Sequence, residues 1–215
     1  MIKAVVFDMD GVIIDSEPIH CEIAVEVLRS FGGEPKEYEI HEFIGVTNQA
    51  MWSTLKERHN LDATVEEILE RHQEYKKRHF FQERIELIDG IEELVKKAAG
   101  SGLKIALATS SPKFLAEHIL NSTGLMPYFN VVVTADDITR SKPDPEIYLK
   151  AADLLGIEPR FCVAVEDAEL GMKAARGAGM RVIAFLNPNS GKQDTSSADF
   201  VVSSIRDIDL YKLNP

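Results

Sequence analysis

Six short apolar runs, at residues 3–7, 103–108, 131–134, 161–165, 181–185 and 200–202, are separated by stretches with helical periodicity. A helix between two strands carries the chain back in the same direction, so this alternation predicts an α/β fold: a mostly parallel sheet with helices on both faces. Helix boundaries are written locally. Ser111-Pro112 precede a helix expected over 113–122, and Asp144-Pro145 precede one over 146–155 that Gly156 closes.

The alternation breaks between Glu17 and Arg84, where the pattern is helical throughout. Residues 17–84 are therefore expected to form an all-helical insert, a cap domain, with residues 1–16 and 85–215 making the α/β core. Ala24, Leu28 and Phe31 mark one apolar face of the insert, and Ile68, Leu69, Tyr75 and Phe80 contribute to another. Gly45-Val46-Thr47 reads as a loop entering a helix over 48–59, and residues 15–18 and 86–90 read as hinges. Residues 187–197 read simply as a polar loop.

Composition narrows the partners. Lys and Arg number 24 against 35 Asp and Glu, a net charge of −11, which repels nucleic acid and anionic membranes. An anionic substrate must then be met by a local device such as a metal, a buried Lys or a helix N-terminus. With 45% apolar and 27% charged residues the 215-residue chain reads as a water-soluble globular protein. No segment has the apolar length of a membrane span, and Met1-Ile2-Lys3 leads straight into a strand rather than a signal peptide. Two cysteines, Cys21 and Cys162, read as reduced structural thiols of a cytoplasmic protein. Oligomeric state is not legible in the sequence, a monomer being favoured.

The first apolar run ends in Asp8-Met9-Asp10-Gly11-Val12. Side chains two apart on an extended chain point the same way, so Asp8 and Asp10 would repel each other at the edge of a core unless a cation or an ionised partner sat between them. A hard, oxygen-liganded ion such as Mg²⁺ suits such a pair. Three more polar clusters follow apolar runs: Thr109-Ser110-Ser111, then Ser141-Lys142-Pro143-Asp144-Pro145, then Glu166-Asp167. Each has a plainer reading. Asp-x-Asp-Gly is turn chemistry, Thr109–Ser111 and Glu166-Asp167 can cap helices, and Lys142 can be a solvated loop charge. Taken together, acid, hydroxyl, amine and acid stand in order at the carboxyl ends of four expected strands, where open α/β sheets hold ligands.

Those four motifs, in that order and spacing, resemble the haloacid dehalogenase superfamily of phosphotransferases, and within it the β-phosphoglucomutase-like branch with a helical, C1-type cap after the first strand. The resemblance covers essentially the whole chain and implies a Rossmann-like core. It implies that Asp8 attacks phosphorus to form an aspartyl-phosphate, and that Asp10 protonates the leaving alcohol and then takes a proton from water. It also implies Mg²⁺ held by Asp8, the Asp10 carbonyl and Asp167, with Glu166 acting directly or through water. Met9, Thr109, Ser110 and Lys142 join the two aspartates around the phosphate, and Lys142 keeps Asp8 ionised. Because Asp10 starts protonated, activity should decline at high pH. The complete acidic pair Glu166-Asp167 argues against a halide-displacing dehalogenase.

In this family the cap supplies the leaving-group pocket. His20 stands where the mutases carry a cap histidine, although it also reads as a surface residue of the first helix. Asn48 replaces an arginine that the mutases use, Ser111-Pro112-Lys113 replaces their Ser-Lys-Asn segment, and Arg71 stands for their cap lysine by a gapless count. These departures weaken the grip on a second phosphate and favour a phosphatase of small phosphorylated metabolites, with sugar phosphates foremost, over a mutase. A non-catalytic phosphometabolite-binding protein would lack the nucleophile or the lysine, and both are present.

Overall fold

All six strands form in the computed structural model, which describes residues 1–36, 38–44, 46–82 and 85–210. Chain order runs β1 Ala4–Phe7, α1 Glu17–Ser30, α2 Asn48–His59, α3 Val65–Gln82, α4 Ile91–Gly100, β2 Lys104–Ala108, α5 Lys113–Ser122, β3 Val131–Val133, α6 Glu146–Leu155, β4 Cys162–Glu166, α7 Glu169–Gly177, β5 Arg181–Phe185 and β6 Phe200–Val202. The strands pair in parallel in the order β3-β2-β1-β4-β5-β6, a Rossmann-like arrangement with β1 and β4 at the point where the winding reverses. By contacts the chain divides into two units, Met1–Asp15 with Ile85–Pro215, and Ser16–Arg84.

In the α/β unit both sheet faces are buried. Ala4, Val6, Ala106, Ala108, Ala164, Val182 and Ala184 share a cluster with Ile147, Tyr148 and Ala151 of α6 and Met172, Ala174 and Ala175 of α7. Their small side chains let both helices approach the strands closely. Val5, Phe7, Ile105, Leu107, Val163 and Val165 alternate to the opposite face and are equally buried. Strands β1, β2 and β3 are each one residue shorter than the apolar runs, and β4 is shifted: it begins at Cys162 because Pro159–Phe161 form a 3₁₀ turn, and it ends on Glu166, which pairs with Ala184. That shift makes Glu166 part of the sheet rather than a loop residue.

The other unit is helical. Ile23, Ala24, Val27 and Leu28 of α1 are buried, as are Met51, Trp52 and Leu55 of α2 and Ile68, His72 and Phe80 of α3. Phe31, Leu69 and Tyr75, expected on the core faces, are only partly buried. Thr47 caps α2, its Oγ1 accepting the Ala50 N–H at 3.3 Å. Gly45 and Arg84, which the sequence reading used for a loop and a boundary, lie outside the described residues. A 3₁₀ segment, Glu39–Phe43, carries the buried Glu39, whose carboxylate accepts from Arg58 at 3.3 Å and pairs with His59 at 3.0 Å. No helix among the described residues is long and apolar enough to cross a membrane.

Candidate active site

Register places the first carboxylate. Phe7 pairs with Leu107 on one side and Val165 on the other, and the Asp8 N–H continues the ladder to the Val165 carbonyl at 3.0 Å. Asp8 therefore leaves the sheet beside Glu166, at the reversal point. Past it the chain doubles back sharply. The Met9 carbonyl accepts the N–H groups of Ile13 and Ile14 at 2.8 and 3.1 Å, and Gly11 sits at φ +81°. No other residue suits Gly11, since a Cβ there would lie 2.0 Å from Asp167 Oδ2.

Lys142 is the centre of the site. Its three N–H donors have three acceptors: Asp8 Oδ1 at 2.7 Å, Glu166 Oε1 at 2.6 Å and the Ala108 carbonyl at 3.1 Å. Thus the ends of β1, β2 and β4 meet on one ammonium. Burial opposes the Lys142 charge, and Asp8 and Glu166 more than offset it, holding the ammonium above its ordinary range.

The carboxylates are short of positive charge. Burial first, then repulsion from Glu166, lifts the Asp8 carboxyl well above its usual range, against the pull of Lys142. Burial and the Glu166 charge push Asp167 up to about 7, although the Ser190 hydroxyl donates to its Oδ2. Lys142 pulls against the rise at Asp8, its ammonium 2.7 Å from Asp8 Oδ1. Asp8, Glu166 and Asp167 can each offer a carboxylate oxygen within 4.8 Å of the others. Three ionised carboxylates would exceed the one ammonium among them by two charges, and Asp167 Oδ1 is buried with no hydrogen-bond partner among the described residues. This all-oxygen, doubly undercompensated set fits a divalent hard cation, Mg²⁺. Asp8 and Asp167 are the residues with capacity to spare, because Glu166 Oε1 already accepts from both Lys142 and Tyr148.

The pH dependence follows. A carboxyl whose folded pKa is raised contributes stability that is complete below its unfolded value, near 4, and is lost as pH rises through its folded value, about 7 for Asp167. In EDTA the melting temperature should fall across that window. Mg²⁺ should raise it more at pH 8 than at pH 5, because at the lower pH protons already neutralise the cluster. Thermal denaturation at both pH values, with and without Mg²⁺, reads this directly, and an equal response at both would exclude Asp167 from the cation site.

The remaining expected residues divide. Ser111, expected to face the substrate, donates its hydroxyl to Asp10 Oδ2 at 2.8 Å, so it belongs with Asp10. Thr109 is fully buried, and its Oγ1 accepts the Ser111 N–H at 3.0 Å. The Ser111 amide is thereby used within the turn and is not free for an anion, whereas the Thr109 hydroxyl keeps its proton to donate. Ser110 beside them is exposed.

In the helical unit, His20 and Asn48 line one cavity of about 210 Å³ with His72 and Lys76. Arg71 does not. It lines a different cavity with Asp62 and Glu70 and pairs with Glu74 at 3.2 Å. Each step along a helix turns the side chain by ~100°, so His72 and Lys76 share one face and Arg71 and Glu74 another. Buried His72 accepts the Trp52 indole N–H on Nδ1 at 3.1 Å, and burial, then His20 and Lys76, lowers its pKa to about 4. The basic-looking run in α3 thus holds a neutral histidine.

Several supporting residues carry no signal in the sequence reading. Tyr148 donates to Glu166 Oε1 at 2.5 Å, and Asn187 donates to the Gly11 carbonyl at 3.0 Å. Asn187 and Ser190 lie in the segment read as a plain polar loop. Instead, that segment braces both the Gly11 turn and Asp167. Gly171 of α7 leaves room for the Glu166 carboxylate, since a Cβ there would stand 1.9 Å from Oε1. Cys21 and Cys162 are unpaired, and burial pushes both thiols up to about 11, the state of inert structural cysteines.

Known proteins are similar to this chain in sequence and in fold. Residues 5–185 match the family model described as haloacid dehalogenase-like hydrolase. The phosphorylated carbohydrates phosphatase of Thermotoga maritima is 36% identical over 182 residues, covering 84% of this chain and 83% of the relative. The fructose-1-phosphate phosphatase YqaB of Escherichia coli is 33% identical over 185 residues, covering 83% and 93%. Among solved structures, CbbY from Rhodobacter sphaeroides in complex with phosphate superposes with a TM-score of 0.82 at 25% identity, covering 96% of each chain. With its motifs gathered on one lysine at the reversal point of the sheet, and with these relatives, the chain belongs to the haloacid dehalogenase-like hydrolases.

Proposed function

We propose that the protein is a Mg²⁺-dependent phosphatase of small phosphorylated metabolites, sugar phosphates foremost, working through a phosphoryl group carried on Asp8. The observation that supports this most is the buried Asp8–Lys142–Glu166 bridge beside Asp167, a nucleophile, a cation and a metal-ready acid in one cluster. The relatives' names, a phosphorylated carbohydrates phosphatase and a fructose-1-phosphate phosphatase, support the substrate class.

An Asp8 oxygen attacks phosphorus, forming the new P–O bond as the bond to the sugar oxygen breaks. Asp10, held by Ser111, gives its proton to the departing oxygen. In the second half Asp10 takes a proton from water, the water oxygen bonds to phosphorus, and the Asp8 carboxylate and inorganic phosphate are released. Lys142 and the Thr109 hydroxyl stabilise the phosphoryl oxygens as charge moves over them. Mg²⁺, when bound by Asp8 and Asp167, neutralises the repulsion between carboxylate and phosphate. In the helical unit's own cavity, His20, Asn48 and neutral His72 are the groups we assign to hydroxyl recognition.

The test is a panel of hexose, pentose, polyol and glycolate phosphates assayed for both phosphate release and isomerisation. Phosphate should appear with Mg²⁺ and stop in EDTA, and mass spectrometry of quenched steady-state enzyme should find phosphate on Asp8. Isomerisation of a hexose 1-phosphate faster than phosphate release would make the protein a mutase instead, and no phosphate on Asp8 would overturn the mechanism.

A further inference from the structure

Tyr148 is fully buried on α6, six residues beyond Lys142, and it touches the site in two ways. Its hydroxyl donates to Glu166 Oε1 at 2.5 Å, the same oxygen that accepts from Lys142. Its ring lies under the ammonium, with Lys142 Nζ 5.2 Å from the centroid. A buried tyrosine needs only one partner for its hydroxyl, and a backbone carbonyl would serve. Here the partner is the carboxylate that anchors Lys142.

Glu166 is closely packed on the α7 side. Gly171 leaves space for the carboxylate and nothing more, and Glu166 Oε2 receives the Ala168 N–H at a long 3.4 Å. Without the Tyr148 donor, Oε1 would carry its charge against Lys142 alone, and the ammonium would be drawn toward Glu166 and away from Asp8. With it, that charge is shared between two donors and Lys142 stays bridged between the two acids. We propose that Tyr148 is a positioning residue that holds the Glu166–Lys142 pair in register with Asp8, and so sets the affinity of the carboxylate cluster for Mg²⁺. This rests on the reading of Asp8 and Asp167, beside Glu166, as the residues that hold the cation.

Tyr148→Phe keeps the ring, its volume and its face toward Lys142, and removes only the donor. Calorimetric titration of the substrate-free protein with Mg²⁺ should show at least about tenfold weaker binding than the parent, the scale on which outer partners of metal ligands act. A double-mutant cycle separates this from general loosening: in a Glu166→Gln background the same change should alter Mg²⁺ affinity by less than about twofold, because Tyr148 acts through that carboxylate. Equal Mg²⁺ affinity in parent and Tyr148→Phe overturns the proposal, as does a full loss that persists in the Glu166→Gln background. The titration needs no turnover. A parent that binds Mg²⁺ but hydrolyses no phosphomonoester therefore sinks the functional reading and leaves the Tyr148 role to be decided by the same titration, whereas a parent that binds no Mg²⁺ sinks both.

Discussion

Asp8→Asn should lower phosphate release by at least about 10⁴-fold, with no phosphate recoverable on residue 8, while the metal-free protein melts at a higher temperature than the parent. The two effects share one cause. Asn has the shape of Asp, and its amide oxygen can still accept from Lys142 where Asp8 Oδ1 does at 2.7 Å. It has no charge to place beside Glu166 and Asp167, the neighbours that, after burial, hold the Asp8 carboxyl above its usual range. The repulsion that destabilises the metal-free protein is removed together with the nucleophile. A site shaped for chemistry carries such strain, and relieving it commonly stabilises the fold. Steady-state assays and thermal denaturation in EDTA read the two halves. Substantial residual turnover would remove Asp8 from the reaction, and an unchanged or lower melting temperature would mean that the acidic cluster carries no such repulsion.

Asp10→Asn should cost about 10²–10⁴-fold with sugar phosphates, whose alkoxide leaving groups need a proton, the range general acids contribute. With p-nitrophenyl phosphate, whose leaving group departs unprotonated, the loss in the first step should be far smaller, and a burst of nitrophenolate should precede slow release of phosphate. The structural basis is the Ser111 hydroxyl, which fixes Asp10 Oδ2 at 2.8 Å and aims the carboxyl. Ser111→Ala should therefore reproduce part of the defect with the same leaving-group dependence. Equal losses on both substrates in Asp10→Asn would assign the proton transfer to another group.

Much of this was legible before any coordinates. An apolar run that stops at a charged residue marks both a buried strand and the point where it emerges, so Asp8, Thr109 and Glu166 were found by the same signal that found β1, β2 and β4. Lys142 was found by its place just before two prolines after the third run. The residues that brace these groups had no such signal. Tyr148 sits at a helical core position and reads as packing; only the fold shows its hydroxyl on Glu166. Ser190 and Asn187 lie in a stretch whose composition says loop and nothing else, and Gly171 looks like a helix-weakening residue until the carboxylate it makes room for is in place. In α3, Arg71 and His72 are adjacent in sequence, and only the helix decides that His72 joins His20 and Asn48 at one cavity while Arg71 pairs with Glu74.

The sequence by itself determined the parallel α/β core, the helical insert and the order of acid, hydroxyl, amine and acid along the strand ends, because hydrophobic periodicity and strand termination are local properties. Tertiary structure alone decided that Lys142 bridges Asp8 and Glu166, that one ammonium leaves three buried carboxylates undercompensated, and that Ser111 serves Asp10. Those facts depend on register between strands far apart in the chain and on the low-dielectric surroundings they create, where the distance between two charges sets what each can do.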